Sequence, residues 1–160
     1  MISKKLTDLL AAQIGHELFA SHYYLGIAAY FSDLNLDKWA DFFHRQSLEE
    51  RGHALKVARF LLDVDVKFEI PAVAGCPTRF KSPVDAAKTA LGNEQKVTKQ
   101  FHTMTEAALA EKDYTSFQFL QWFIGEQIEE EATMQKIVDL FETGMNLLES
   151  QEHVPSVEHK

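Results

Sequence analysis

The sequence has a single cysteine, Cys76, among 160 residues, so it can form neither an intramolecular disulfide nor a cysteine-rich metal site. It has 16 lysine and arginine residues against 24 aspartate and glutamate residues, which gives a formal net charge of −8. This shortage of basic residues argues against a nucleic-acid partner, because such proteins carry basic patches. It also lacks an apolar run of the kind that a transmembrane helix or a signal peptide needs. We therefore expect neither a nucleic-acid nor a membrane partner, and we predict a cytoplasmic protein.

The rest of the composition is ordinary. Hydrophobic residues make up 46% of the chain and charged residues 25%, which is typical of a soluble globular protein. A chain of 160 residues is long enough to bury one core, and we expect residues 1–160 to form a single domain. The acidic balance suits the handling of cations, although acidic charge more often serves solubility.

Four long stretches repeat apolar residues with steps that alternate between four and three. This spacing is typical of helix faces that meet in the centre of a bundle, and we predict an all-α fold. The first face, for example, runs from Leu10 through Glu17 and Tyr24 to Phe31. The predicted helices cover residues 4–33, 38–62, 83–112 and 114–143, with a short fifth helix over 146–152.

Capping residues indicate where these helices begin and end. Serine and aspartate side chains accept hydrogen bonds from the free N–H groups of a first helical turn, and Pro83 suits the first position of the third helix. Gly144 is placed to end the fourth helix, and residues 154–160 are expected to form a loose tail. The predicted N-caps are Ser3, Asp37, Ser82 and Asp113.

Residues 63–82, which connect the second and third helices, have a different pattern. Over residues 64–70 apolar and charged side chains alternate with a period of two, which predicts an extended segment, and Pro71 and Pro77 exclude regular structure beyond it. Twenty residues exceed the needs of a hairpin, yet at roughly 3.3 Å each they can run the length of a helix. We therefore predict a long crossover between two parallel helices, whose extended part pairs with its own copy across a two-fold axis.

Glu50 and His53 stand three residues apart in the second helix. A carboxylate and an imidazole at this spacing lie on one face, one turn apart, so both can reach the same metal ion. Each of the other three helices also carries an acid near the middle of its apolar face: Glu17, Glu94 and Glu130. Counted from the turn that joins each pair of helices, these acids lie at about one level of an antiparallel bundle.

Four buried carboxylates without a cation would repel one another and carry a large desolvation cost. Cations would neutralise them, and hard carboxylates with one imidazole suit iron or manganese, while zinc can also enter. We predict a dinuclear centre in which Glu50 bridges two ions. Glu17 and His53 would complete the ligands of one ion, and Glu94 and Glu130 those of the other.

At these positions the sequence resembles a bacterial non-haem ferritin, over nearly the whole chain. The resemblance is carried by Glu17, by Glu94 and by the stretches LEERGH over residues 48–53 and GEQIEE over residues 125–130. It implies a ferritin-like four-helix bundle with a long crossover between helices two and three and a short C-terminal helix. The implied ligands of two Fe(II) ions are Glu17, Glu50, His53, Glu94 and Glu130, with Gln127 as a nearby hydrogen-bonding group.

The same resemblance implies an activity and an assembly. Dioxygen or hydrogen peroxide would take electrons from Fe(II), so that the protein is a ferroxidase, and Fe(III) would be stored inside a shell of twenty-four identical subunits. Tyr24, two turns from Glu17 on the same face, corresponds to a tyrosine that can supply an electron in that family. An ordinary core tyrosine is the alternative interpretation.

Two positions separate the sequence from the bacterioferritins. Those proteins carry a second Glu-x-x-His pair in the fourth helix, where this chain has Gln127 and Glu130. They also place a haem-binding methionine directly after the second-helix glutamate, where this chain has Arg51. We therefore expect no haem.

The resemblance also implies a third iron site beside the pair. Glu49 points about 100° around the helix from Glu50, and Glu126 and Glu129 lie on the fourth helix near the same level. We predict that Glu49 faces Glu126 and Glu129 across a groove, with Glu130 between this site and the dinuclear centre. A solvated acidic patch is the alternative interpretation.

Two rival functions remain open at this stage. A di-iron oxidase or peroxidase would use the same centre on an organic substrate, although 160 residues leave little room for a substrate pocket. A metal-free structural bundle would leave the buried acids unexplained.

Other residues receive a structural interpretation. Gly52 and Gly125 each cost about 1 kcal/mol within a helix, which favours a close approach between helices at both positions. Four further histidines are predicted to lie on the surface: His16, His22, His44 and His102.

Overall fold

The structure, a computed structural model, describes residues 1–156 and is all-α. Its helices are α1 (Lys4–Asp33), α2 (Asp37–Asp63), α3 (Pro83–Ala110), α4 (Tyr114–Glu142) and α5 (Leu147–Ser150), followed by a 3-10 turn at Gln151–His153. The predicted fold class is confirmed, and the four long helices begin and end within a few residues of their predicted bounds. Among these helices, none is long and apolar enough to cross a membrane.

Three of the four predicted N-caps are confirmed. Ser3, Ser82 and Asp113 each accept a hydrogen bond from the backbone N–H three residues further on, at 3.0–3.1 Å. The prediction for Asp37 is wrong, because Leu36 is the N-cap of α2 and makes no side-chain cap bond. Asp37 is instead the first helical residue, where its negative charge interacts favourably with the positive end of the helix dipole.

The helices are arranged as two antiparallel hairpins, α1 with α2 and α3 with α4. Asn35 (φ 57°) turns the chain in the first hairpin and Lys112 (φ 57°) in the second, while Gly144 (φ 73°) ends α4 as predicted. The C-terminal halves of α2 and α3 pack into the same apolar cluster, so these two helices run parallel. The predicted long crossover between them is therefore confirmed.

Apolar side chains fill the bundle as two clusters, one toward each end. The upper cluster joins the C-terminal halves of α1 and α4 to the N-terminal halves of α2 and α3, and in it Phe31 stacks on Phe43 and Phe141. The lower cluster joins the opposite halves, and its Phe101 and Phe123 rings stack with centroids 4.4 Å apart. Buried acids lie between the two clusters. The core thus encloses a polar layer at the middle of all four long helices.

The crossover lies against α1 at two glycines that the sequence analysis did not single out. A Cβ on Gly15 would lie 2.6 Å from Cγ of Pro71, and a Cβ on Gly26 would overlap the carbonyl group of Pro77. Only glycine allows the crossover to pack this closely at both positions.

The close approaches predicted at Gly52 and Gly125 are wrong within this chain. A Cβ at either position would meet no atom within 4 Å, and both residues are exposed. Neither glycine is therefore needed for the packing of one helix on another in the bundle.

The alternating run of residues 64–70 forms no strand in the described chain. Val66 and Phe68 are half-buried against the lower cluster, whereas Ile70 is 59% exposed. Part of the apolar side of the run is therefore covered by its own bundle. Its pairing across a two-fold axis involves a second copy and stays a prediction.

Candidate metal centre

Five side chains of the kinds that bind metals meet in the polar layer. Each long helix turns its mid-height acid toward the bundle centre, because the four-three spacing keeps these positions on the inner face. The five are Glu17 of α1, Glu50 and His53 of α2, Glu94 of α3 and Glu130 of α4, and none is more than 4% exposed. These are the five residues that the sequence analysis proposed as ligands of a dinuclear centre.

The five side chains fall into two groups that share Glu50. Ligand atoms of Glu17, Glu50 and His53 lie within 4.8 Å of one another, as do those of Glu50, Glu94 and Glu130. Two ions placed in these groups would have Glu50 as their common ligand, which is the arrangement of dinuclear carboxylate sites in helical bundles. His53 Nδ1 lies 3.1 Å from Glu50 Oε2 and 3.8 Å from Glu17 Oε2.

The charges in this layer oppose one another when no cation is present. Burial raises the pKa of Glu50 well above its ordinary value, and the charges of Glu94 and Glu17 raise it further. Burial likewise raises the pKa of Glu130 well above its ordinary value, and the charges of Glu50 and Glu94 add to this effect. Two buried oxygens, Glu17 Oε2 and Glu50 Oε1, have no hydrogen-bond partner among the described residues. Unpartnered oxygens of this kind are costly, and hard divalent cations such as Fe(II) suit them.

Glu94 is held by two neutral donors. The Tyr24 hydroxyl donates a hydrogen bond to Glu94 Oε1 at 2.6 Å, and Gln127 Nε2 donates one to Glu94 Oε2 at 3.0 Å. Burial raises the pKa of Tyr24 well above its ordinary value, and the charge of Glu94 adds to this effect, so the phenol keeps its proton. Tyr24 and Gln127 therefore orient one of the candidate ligands.

A pair of serines fixes α1 against α2 next to the centre. Ser21 Oγ donates to the carbonyl of Ser47, and Ser47 Oγ donates to the carbonyl of Ser21, both at 2.7 Å. Ser21 lies one turn after Glu17, and Ser47 lies about one turn before Glu50. The reciprocal bonds therefore set the register in which these two ligands meet. The only signal in the sequence is a small hydroxyl residue beside an acid on each inner helix face.

An acidic groove between α2 and α4 adjoins the centre. It has a volume of about 320 Å³, and Glu49, Glu126, Glu129 and Glu130 line it. Ligand atoms of Glu49, Glu126 and Glu130 lie within 4.8 Å of one another and of a ring nitrogen of His53. The acids of the predicted third site thus share one cavity. The ligand atoms that converge are those of Glu49, Glu126, Glu130 and His53. Glu129 lines the cavity but does not belong to this converging group.

The groove contains polar groups besides these acids. Burial raises the pKa of Glu126, and the hydrogen bond and charge of Glu49 add to the rise. Gln46 lines the same cavity, and its buried Oε1 has no hydrogen-bond partner in the described part of the chain. Ser156 of the C-terminal segment also lines it, and Val154 packs against the upper cluster. The first residues of the tail predicted to be loose are thus held, whereas residues 157–160 lie outside the described part.

Trp122 shields His53 in a way that the sequence analysis missed. The indole lies edge-on to the imidazole, with ring centroids 5.5 Å apart, and Lys56 Nζ lies 3.5 Å from the indole centroid. A cation over an indole face is a favourable contact, so Lys56 holds Trp122 in place.

The histidines predicted to lie on the surface are exposed: His16, His22, His44 and His102.

Comparisons with known proteins agree with this architecture. The ferritin-like domain family matches residues 7–143. The bacterial non-heme ferritin of Staphylococcus haemolyticus is 38% identical over 139 residues, which cover 87% of this chain and 84% of that protein. The protein of the same description from Staphylococcus aureus strain MRSA252 is 38% identical over 148 residues, which cover 92% of this chain and 85% of that protein.

Solved structures show the same fold. The open pore ferritin of the hyperthermophilic archaeon Archaeoglobus fulgidus superposes with a TM-score of 0.93 at 32% identity, covering 96% of this chain and 98% of that chain. A humanized archaeal ferritin superposes with a TM-score of 0.95 at 29% identity, covering 100% of this chain and 99% of that chain. The four-helix architecture with its crossover is thus shared along the whole length of these structures.

Proposed function

The chain belongs to the ferritin family, and from this premise we propose that it binds Fe(II), oxidises it at the buried centre and stores Fe(III). The observation that carries the proposal is the pair of buried ligand groups that share Glu50. In the proposed centre, Glu17 and His53 hold one Fe(II), Glu94 and Glu130 hold the other, and Glu50 bridges them. Iron is the substrate and the cargo of this protein, and no haem is involved.

The proposed reaction is a ferroxidase reaction. Two Fe(II) ions give one electron each to dioxygen, which takes up two protons and leaves as hydrogen peroxide, while two Fe(III) ions remain. With hydrogen peroxide as the oxidant, two Fe(II) ions and two protons give two Fe(III) ions and two waters. Tyr24 contacts Glu94 directly, and we assign it the role of a further electron donor beside its role in holding this ligand.

The direct test is Fe(II) oxidation by the purified assembly, followed by a count of iron per assembly. We expect rapid oxidation and many more iron atoms than binding sites. A protein that oxidises Fe(II) but retains only a few ions per subunit would instead fit a di-iron oxidase or peroxidase acting on another substrate. The cavity beside the centre does not favour that alternative, because four glutamates line it and an apolar organic substrate would have to bind among their charges.

We also propose that the acidic groove holds a third iron ion. Its supports are the convergence of Glu49 and Glu126 with Glu130 and the unpartnered Oε1 of Gln46 in the same cavity. Glu49 and Glu126 are only half-buried, so an ion here would be more hydrated and more weakly bound than the pair. Its role would be to pass iron toward storage or to give an extra electron to the oxidant.

Replacing Glu49 and Glu126 together by glutamine should remove the third ion and leave the pair in place. The amides keep the shape of the groove but supply no charge. Glu129→Gln is the matched comparison, and it should weaken the third ion less, because Glu129 stands outside the converging group. Anomalous diffraction from iron-soaked crystals measures the occupancies, and the iron-to-oxygen ratio should change with them. Two ions in the wild type, or three in the double variant, would contradict the site.

Iron storage requires an assembly that encloses a cavity. We propose a homo-oligomeric shell, and the resemblance to bacterial non-haem ferritins implies twenty-four subunits. The outer face of α2 supports a protein partner, because Leu48, Leu55 and Leu62 recur at seven-residue spacing and are 56%, 56% and 61% exposed. A stripe of this kind is uncommon on a monomer that has no partner. Ile70 of the crossover adds a further exposed apolar side chain.

Lysine at both Leu55 and Leu62 should therefore yield species smaller than the full shell. Two charges would have to be buried against another subunit, and an unpaired charge in an interface is costly. Gln95→Lys, a charge added on the exposed face of α3, serves as the control. Light scattering after size-exclusion chromatography gives the mass. An intact shell in the double variant would remove this stripe from the interface.

A further inference from the structure

Gln13 is a buried amide that stands outside the predicted ligand set. It lies on α1 one turn before Glu17, and its side chain is 1% exposed. Gln13 Nε2 donates a hydrogen bond to Glu17 Oε1 at 3.0 Å. Nearly all of its surface is thus removed from water, and its amide is directed at a candidate metal ligand.

This hydrogen bond distinguishes the two oxygens of Glu17. Oε1 is occupied by the amide, whereas Oε2 has no hydrogen-bond partner among the described residues and lies 3.8 Å from His53 Nδ1. A carboxylate with one oxygen fixed cannot turn freely about its terminal bond. The free oxygen is thereby kept on the side of the ion that His53 also faces.

Glu94, a candidate ligand of the second ion, is held in an equivalent way. Gln127 Nε2 donates to Glu94 Oε2 at 3.0 Å, from the neighbouring helix instead of from the same one. Both donors are neutral amides, which orient a carboxylate without cancelling its charge. A lysine or arginine in either place would form an ion pair and compete with the metal for that charge. Each of the two proposed ions therefore has one carboxylate ligand that is held by a neutral amide: Glu17 by Gln13 and Glu94 by Gln127.

We propose that Gln13 is a positioning residue for the ion held by Glu17 and His53, in the same way that Gln127 is for the ion held by Glu94 and Glu130. This inference rests on the proposed dinuclear centre. Outer partners of this kind typically change metal affinity by about 10- to 100-fold. Losing Gln13 should thus affect one ion of the pair selectively, which a general structural role would not do.

The test is an anaerobic titration of the full-length protein with Co(II), whose absorption reports each binding step. Gln13→Leu removes the donor, and we expect affinity for one ion to fall by about 10-fold or more while the other ion is retained. Gln127→Leu should spare the ion that Gln13→Leu weakens. Crystals soaked in Co(II) identify which ion is lost. Gln13→Met keeps the length of the side chain but has no N–H donor, and it should show the same selective loss.

The outcomes separate this inference from the proposed function. A wild type that fails to bind a pair of ions would overturn the dinuclear centre itself. A wild type that binds the pair, with Gln13→Leu and Gln13→Met weakening both ions equally or neither, would overturn only the role of Gln13. If Gln13→Leu fails to fold, Gln13→Met alone decides between these results, and thermal melting of the metal-free variants identifies that case.

Discussion

Glu50→Ala should abolish rapid Fe(II) oxidation. Glu50 is the only side chain in both ligand groups, so its loss removes one ligand from each ion and the connection between them. Replacing a residue that only hydrogen-bonds to a metal ligand costs about 10- to 100-fold in metal affinity or activity. Loss of the bridging carboxylate itself should exceed that range. The initial rate of oxidation under air, at equal iron per subunit, is the measurement.

Glu106→Ala is the matched control for this variant. Glu106 is an exposed glutamate of α3, so its replacement removes the same charge from the chain but leaves the centre intact, and its rate should equal that of the wild type. Residual slow oxidation in Glu50→Ala is expected, because Fe(II) also oxidises in solution. A rapid phase that survives in Glu50→Ala would show that the chemistry occurs elsewhere in the protein.

The ligand positions could be predicted from the sequence because helices make the geometry periodic. Steps of four and three place residues on one face, and counting from the turns fixes their level, so Glu17, Glu50, Glu94 and Glu130 could be brought together without coordinates. These four acids also interrupt apolar faces, which made them visible. The crossover could be predicted from the length and composition of residues 63–82.

Features that depend on how two elements fit together could not be predicted in this way. Gln13 lies one turn from Glu17, and its importance appears only when its amide is seen to meet the carboxylate. The reciprocal bonds of Ser21 and Ser47 require the register of α1 on α2. Gly15 is explained by the path of the crossover, which helix propensity does not contain.

Two errors have the same physical origin. Asp37 is a good capping residue by type, but the turn around Asn35 places Leu36 at the N-cap instead. Gly52 is unfavourable within a helix, but no neighbouring atom explains it in this chain. In each case a local preference was correct and the packing decided otherwise.

The buried acids should destabilise the metal-free protein as the pH rises. Burial and like charges raise the pKa of Glu50 and Glu130 in the fold above the ordinary value of 4.5, while in the unfolded chain these groups titrate near that value. Burial lowers the pKa of His53, but its interaction with the nearby Glu17 carboxylate and the charge of Glu130 outweigh this and raise it. In all three cases the folded protein holds protons that the unfolded chain has released. Stability therefore falls as the pH rises above about 4.5 because of the two acids, and His53 adds to the fall above its ordinary value of 6.5.

We expect the melting temperature of metal-free wild type to fall between pH 5 and pH 8 more steeply than that of Glu50→Ala, whose centre has one acid fewer. At pH 8 the variant should be as stable as the wild type or more so. Adding Co(II) without oxygen should then stabilise the wild type more than the variant. Each occupied site raises the free energy of unfolding by about 2.7 kcal/mol at an ion concentration 100 times its Kd. For a domain of this size, that corresponds to several degrees, at about 2–4 °C per kcal/mol. Glu106→Ala should follow the wild type throughout. A large loss of metal-free stability in Glu50→Ala would mean that Glu50 holds the fold together by itself, and the cation would then be unnecessary to explain the buried acids.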